Sequence, residues 1–96
     1  LQIDFSMPAE MLGENLSKNA AGLAATINTE PGFISKIWTE NAQTEEAGGI
    51  YLFNNRESAE RYAAMHIERV KQMGAKNINC KLFDINIPLT KINHGL

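Results

Sequence analysis

The order of two apolar periodicities constrains the fold of this chain more than any other feature. Leu1, Ile3 and Phe5 alternate with polar residues, which is the period of a half-buried strand. Further along, apolar residues recur twice at helical spacing, each time between segments rich in aromatic and β-branched residues. The predicted elements are a strand over 1–6, a helix from between 8 and 14 to 27, strands over 33–40 and 49–53, a helix over about 56–73 and a strand over 76–85.

This β-α-β-β-α-β order predicts an α+β, ferredoxin-like fold, in which a four-stranded antiparallel sheet carries two helices on one face. Residues typical of element ends support the boundaries. Pro31 and Gly32 suit the two central positions of a type II turn. The segment 54–58 offers an N-cap for the second helix, and Gly74 is its expected stop.

The length of 96 residues is enough for one hydrophobic core, so we predict a single domain over 1–96. Its last segment, 86–96, contains Pro88, Leu89 and Ile92 and is predicted to be an arm that lies on protein. A domain of this size buries only about 60 to 65% of the surface that its unfolded chain exposes. Burial of further surface against a partner would therefore add stability.

The predicted strands are apolar on both sides. An antiparallel sheet that is covered by helices on one face usually has a polar, solvent-exposed second face. Strict alternation places Phe33 with Ile37 on one side of the second strand and Ile34 with Trp38 on the other. The third strand likewise separates Ile50 and Leu52 from Tyr51 and Phe53. Two helices cover one face only, so we expect a homodimer in which a second copy of the sheet packs on the other face.

Composition excludes several functional classes. The net charge of −2 and the absence of a basic run argue against nucleic-acid binding. No apolar stretch approaches the roughly 20 residues of a membrane span, and no signal peptide is evident, so we expect no membrane association. Cys80 is the only cysteine and cannot form an internal disulfide, which fits a cytoplasmic protein.

Motifs that hold cofactors are missing from the sequence. It contains no glycine-rich phosphate loop and no nucleophile elbow. His66-Ile67-Glu68 resembles half of a zinc deaminase motif, but the paired cysteines that should follow are absent. We therefore expect neither a metal nor an organic cofactor.

Four segments closely resemble the YdhR-type monooxygenases, a group within the dimeric α/β barrel superfamily. They are Glu30-Pro31-Gly32-Phe33, Trp38-Thr39-Glu40, Glu46-Ala47-Gly48-Gly49-Ile50-Tyr51-Leu52-Phe53, and Phe83-Asp84-Ile85-Asn86 with Pro88-Leu89 and Ile92-Asn93. The resemblance extends from Leu1 to Asn93 and is weakest between Ser6 and Ala20. It implies a ferredoxin-like protomer, paired through its sheet as a dimeric α/β barrel, with an enclosed pocket in each subunit. The group is named after small monooxygenases that oxidise phenolic polyketides to quinones without metal or flavin.

His66 is the only side chain on the apolar stripe of the second helix that can titrate near neutral pH, and it is in register with Tyr62 and Val70. The charged residues of this helix, Arg69 among them, are expected on the solvent side. One interpretation of His66 is a semi-buried histidine that is hydrogen-bonded for structural reasons. The other is a catalytic proton acceptor that works near neutral pH.

Trp38, Tyr51, Tyr62 and Lys36 are the candidate substrate-binding residues. The rings offer stacking surfaces with one hydrogen-bond donor each, and Lys36 could steady an oxyanion. Core packing and a solvated edge lysine are the alternatives. Trp38 and Tyr51 share a face of the sheet only if paired residue numbers in the hairpin sum to an odd value. Gly48-Gly49 either makes room beside them or marks a β-bulge.

Three functions fit these residues. The resemblance favours a cofactor-independent monooxygenase that oxidises aromatic or phenolic small molecules with O₂. A non-catalytic binding protein for an aromatic or lipid-like metabolite would use the same pocket. Haem binding, known elsewhere in the superfamily, would make His66 an axial ligand.

Overall fold

A computed structural model describes all residues 1–96. Its elements are β1 (Gln2–Ser6), α1 (Glu14–Asn19), α2 (Ala21–Ile27), β2 (Phe33–Asn41), β3 (Glu46–Phe53), α3 (Arg56–Gln72), β4 (Lys76–Lys81) and α4 (Ile87–Ile92), with a 3₁₀ turn at Ala9–Met11. The strands form one sheet in the order β2-β3-β1-β4, and every neighbouring pair is antiparallel. The predicted α+β, ferredoxin-like arrangement is confirmed.

The core lies between one face of the sheet and the helices. Ile3 of β1 and Tyr51 of β3 meet Ile27 of α2 and Tyr62 of α3, and all four are buried. Both helical segments therefore pack on the same face of the sheet. Burial of one such aliphatic side chain contributes about 1.5 to 3 kcal/mol.

The first helix differs from the prediction, because two short helices, α1 and α2, replace the single one. They meet at Ala20, whose φ of −101° and ψ of 0° interrupt the helix. Asn19 and Gly22 flank this point, and both have low helix propensity. Two grooves lie between these helices and β2, which is an edge strand of the sheet.

The hairpin of β2 and β3 contains a β-bulge that strict alternation does not anticipate. Phe33 pairs with Phe53 and Ser35 pairs with Leu52, so Ile34 is an extra residue on β2. Phe33 packs against the core under the helices, whereas Ile37 is 64% exposed on the opposite face. The expectation that Phe33 shares a face with Ile37 was wrong for this reason.

Helix α3 follows the prediction closely. Its N-cap is Asn55, whose side-chain oxygen accepts a hydrogen bond from the backbone N–H of Ser58 at 2.8 Å. It ends before Gly74, which has a φ of +95° that favours glycine. Even this helix, the longest, does not meet the length and hydropathy needed to cross a membrane, and no other helix does.

The last strand is shorter than predicted, since β4 ends at Lys81 rather than at residue 85. Lys81 pairs with Gln2, the first residue of β1, and the chain beyond it has no strand partner. Residues 82–86 are instead tied to the start of α3 by the Arg56–Asp84 ion pair at 2.9 Å. The arm then forms α4, whose Leu89 and Ile92 are 60% and 70% exposed. These two side chains are uncovered within one chain, and the contact of the arm with protein stays a prediction.

Candidate functional site

The register of the hairpin brings three predicted site residues together. Lys36 pairs with Tyr51 and Trp38 pairs with Gly49, so paired numbers sum to 87. Directly opposed residues point to the same side of a sheet. Lys36, Trp38 and Tyr51 therefore share the face that carries the helices.

Lys36 lies across the two aromatic rings beside it. Its Nζ is 3.3 Å from the Trp38 ring centroid and 4.5 Å from that of Tyr51. Gly49 makes room for this side chain, because a Cβ there would be 2.5 Å from Lys36 Cε. Gly48 and Gly49 of β3 pair in regular register with both neighbouring strands, β1 and β2, so the two glycines do not mark a bulge.

His66 projects from α3 toward the same cluster and is only 3% exposed. Its ring stacks on Tyr62, with centroids 5.1 Å apart and an interplanar angle of 20°. The edge of the Tyr51 ring stands 6.0 Å away. Tyr62 lies behind His66 in the core, so it supports the cluster rather than lining the space in front of it.

Arg69 does not point to the solvent side of α3, where helical periodicity predicted it. Its guanidinium folds back one turn and donates to Nδ1 of His66 from Nε at 3.2 Å and from Nη2 at 2.9 Å. Nη2 also reaches the Tyr62 hydroxyl at 3.4 Å. Since Nδ1 is an acceptor, the neutral ring carries its proton on Nε2. The spacing of three residues between His66 and Arg69 was the available signal for this contact.

Burial and like charge shift the pKa values of the two basic groups downward. Burial, followed by the charges of Arg69 and Lys36, lowers the pKa of His66 to about 4. Burial and Arg69 lower the pKa of Lys36 to about 7. Burial also raises the pKa values of the Tyr51 and Tyr62 hydroxyls. At neutral pH the imidazole is therefore uncharged, and the amine is close to its midpoint.

A cavity of about 40 Å³ lies between these side chains and is lined mostly by apolar residues. It is bounded by Lys36, Trp38, Tyr51 and His66, and its volume is close to that of one water molecule. Outside it, a groove of about 420 Å³ runs along α1 and α2 to Glu40. Trp38 borders both spaces and is 38% exposed, so its indole separates the cavity from the groove.

The site contains no group of side chains that could together bind a metal ion. No three His, Cys, Asp or Glu side chains converge anywhere in the chain. Cys80 is exposed on β4, opposite Ile3 of β1, and is not among the residues around the cavity. The reactive groups of the site are thus an amine, a guanidinium, an imidazole and two phenols.

Comparison with known proteins assigns the chain to a family. A family model described as "Putative mono-oxygenase ydhR" matches residues 1–96, the whole chain. The chain belongs to the YdhR family. A search of curated proteins finds no match. The resemblance drawn from the sequence is thereby confirmed, and the family description gives mono-oxygenase as the class of activity.

Proposed function

We propose that the chain is a monooxygenase that oxidises phenolic or other aromatic small molecules with O₂, without a metal or organic cofactor. The family description supports the class of reaction. The observation that carries the substrate class and the mechanism is the position of Lys36, whose amine lies over the faces of Trp38 and Tyr51 at an apolar cavity. A basic group held against aromatic surfaces suits an aromatic substrate with an acidic proton, which the amine can remove while the rings pack against the substrate.

Lys36 is the proton acceptor in this mechanism. Its pKa of about 7 leaves neutral amine at physiological pH, as a general base requires. His66, the base expected from the sequence, uses Nδ1 to accept hydrogen bonds from Arg69, and its pKa of about 4 makes it a weak base. We therefore propose that Lys36 accepts the substrate proton and that His66 holds Arg69 in place.

Proton transfer leaves a substrate anion beside the Lys36 ammonium, with Arg69 as a second cation nearby. The anion reduces O₂ and forms a carbon–oxygen bond, which gives a peroxide that takes the proton back from Lys36. Loss of water from the peroxide then leaves a carbonyl group. For a ring CH₂ the balance is CH₂ + O₂ → C=O + H₂O, with one oxygen atom in the product and one in water.

Trp38 controls entry in this proposal. The cavity holds about one water molecule, so a ring enters only when the indole swings toward the outer groove. The apolar lining then keeps water from the anion and the peroxide. The half-exposed indole, beside a groove of about 420 Å³, has space for this movement.

We also propose that the protein is a homodimer joined through the open faces of two sheets. On that face Ile37 pairs directly with Ile50, and the two side chains are 64% and 49% exposed. Adjacent exposed aliphatic residues on a sheet favour burial against a second apolar surface. Small domains gain most from such burial.

Oxygen uptake with a panel of hydroquinones and anthrones tests the function. We expect consumption of O₂ that is lowered on the order of 10²-fold or more in Lys36→Met, since general bases typically contribute 10²- to 10⁴-fold. Lys81→Met, which removes an exposed lysine of β4, is the matched control and should retain the wild-type rate. The rate should rise as pH increases through about 7, because the amine loses its proton there. Binding of these rings without oxygen uptake would instead favour a binding protein.

A further inference from the structure

Lys36 has no acidic partner. The ion pairs of the chain are Arg56–Glu60, Arg56–Asp84 and Lys71–Glu68, and none involves Lys36 or Arg69. Glu40 lies four residues from Lys36 along β2, two beyond Trp38, and its Oε2 accepts a hydrogen bond from the backbone N–H of Gly13 at 3.1 Å. The ammonium form of Lys36 is therefore partly desolvated without a carboxylate to compensate.

The groups that face the amine have opposing effects on its charge. Arg69 of α3 disfavours the ammonium, and His66 is neutral. The faces of the Trp38 and Tyr51 rings attract the ammonium form, which limits the lowering of the pKa of Lys36. The residues of α1 and α2 that line the cavity are apolar and do not titrate. Neutral amine is consequently far more abundant at Lys36 than at a solvated lysine, whose pKa is near 10.4.

The amine is reachable from outside the core. Lys36 borders a second groove, of about 280 Å³, which also touches Trp38 and the C-terminal half of α2. The end of Lys36 occupies the space left by the missing side chain at Gly49, and the residue borders both this groove and the inner cavity. An aromatic molecule in this groove meets the Lys36 side chain beside the Trp38 and Phe33 rings.

We propose that Lys36 is a carbonyl-binding nucleophile that captures aromatic aldehydes and ketones as Schiff bases. Buried lysines beside a second cation are the kind that perform this chemistry in proteins. The nitrogen lone pair attacks the carbonyl carbon, the oxygen takes two protons and leaves as water, and a C=N bond forms between ligand and lysine. The balance is R₂C=O + H₂N–Lys → R₂C=N–Lys + H₂O. This activity needs no O₂ and does not depend on the oxygenase proposal.

Reductive trapping tests the proposal on the wild-type protein, with its other lysines as internal controls. The chain contains six lysines. Benzaldehyde and sodium cyanoborohydride are added at pH 7, and peptide mass spectrometry measures the rate of benzylation at each lysine. We expect Lys36 to react on the order of ten to a hundred times faster than the mean of the other five, because its neutral fraction is larger. The advantage should shrink toward pH 10 and vanish in urea. Equal rates at all six lysines of the folded protein would overturn the proposal.

Two arginine variants separate the local electrostatics from general surface charge. Arg69→Gln removes the neighbouring cation, so it should slow benzylation of Lys36 at pH 7 several-fold and shift its pH profile upward. Arg61→Gln removes an exposed arginine of the same helix and should leave the rate unchanged. If both variants slowed the benzylation of Lys36 equally, the proposed effect of Arg69 on the Lys36 amine would be wrong. Oxygen uptake measured on the same samples shows whether either activity exists without the other.

Discussion

Arg69 and His66 meet at a single ring nitrogen, since Nδ1 of His66 accepts from both Nε and Nη2 of the same guanidinium. This arrangement fixes the tautomer and the orientation of the imidazole. Protonation at Nδ1 would turn an acceptor into a donor that faces two other donors. The contact therefore stabilises the neutral histidine and makes it a support for Arg69.

Replacement of His66 by Gln tests this role. The amide oxygen of Gln can accept from Arg69, so we expect oxygen uptake with a phenolic substrate to stay within about threefold of wild type. The melting temperature should fall, because loss of a buried ring and its stacking on Tyr62 costs on the order of 1 to 3 kcal/mol. A loss of a hundredfold or more in rate, with Lys36→Met still active, would make His66 the proton acceptor.

Acid should destabilise the fold through His66. Its pKa is about 4 in the folded state and near 6.5 in the unfolded state, so the unfolded chain binds more protons between these values. The free energy of unfolding therefore rises with pH over that range and falls on acidification, by about 1 to 3 kcal/mol. Urea denaturation at pH 7 and pH 4.5 measures the difference. His66→Gln should reduce it, and an unchanged pH dependence in that variant would contradict the assignment.

Gly49→Ala should displace Lys36 without unfolding the protein. The added Cβ would lie 2.5 Å from Lys36 Cε and 3.1 Å from the Tyr51 ring, and the lysine end is the more easily moved. We expect a small change in melting temperature but a drop of tenfold or more in both activities proposed for Lys36. Gly22→Ala in α2 is the matched control, since its Cβ would meet nothing within 4 Å. Its expected effect is unchanged activity and slightly higher stability, because Ala favours helix over Gly by about 1 kcal/mol.

Ile37→Lys should disrupt the proposed dimer. The substitution places a charge on the open sheet face beside Ile50. Analytical ultracentrifugation at micromolar concentration should show a dimer for wild type and a monomer for this variant. Met65→Lys, at a partly exposed position of α3 on the helical side, should remain dimeric. If the wild-type protein were monomeric at that concentration, the proposed homodimer would be wrong.

The sequence predicted the elements well where periodicity and end signals agreed, as in α3 between Asn55 and Gly74. Periodicity alone did not determine the hairpin register, because an extra residue changes which side chains share a face. It also misplaced Arg69, since a helical wheel locates the Cα atom and not the end of a long side chain. The structure brings together around one cavity four residues that the sequence singled out, namely Lys36, Trp38, Tyr51 and His66. The pKa values that distinguish the amine from the imidazole depend on tertiary burial, which the sequence does not give.

The bulge at Ile34 has a consequence for how this site tolerates changes in chain length. Ile34 is the one residue of β2 without its own partner on β3, so its deletion would leave Phe33 opposite Phe53 and Lys36 opposite Tyr51 in a regular ladder. A deletion of Lys36 would also remove the bulge, but it would place Ser35 opposite Tyr51 and so take the amine out of the cavity. We therefore expect natural length variation in this strand to concentrate at the bulge, where a codon can be lost or gained while the cavity keeps its walls.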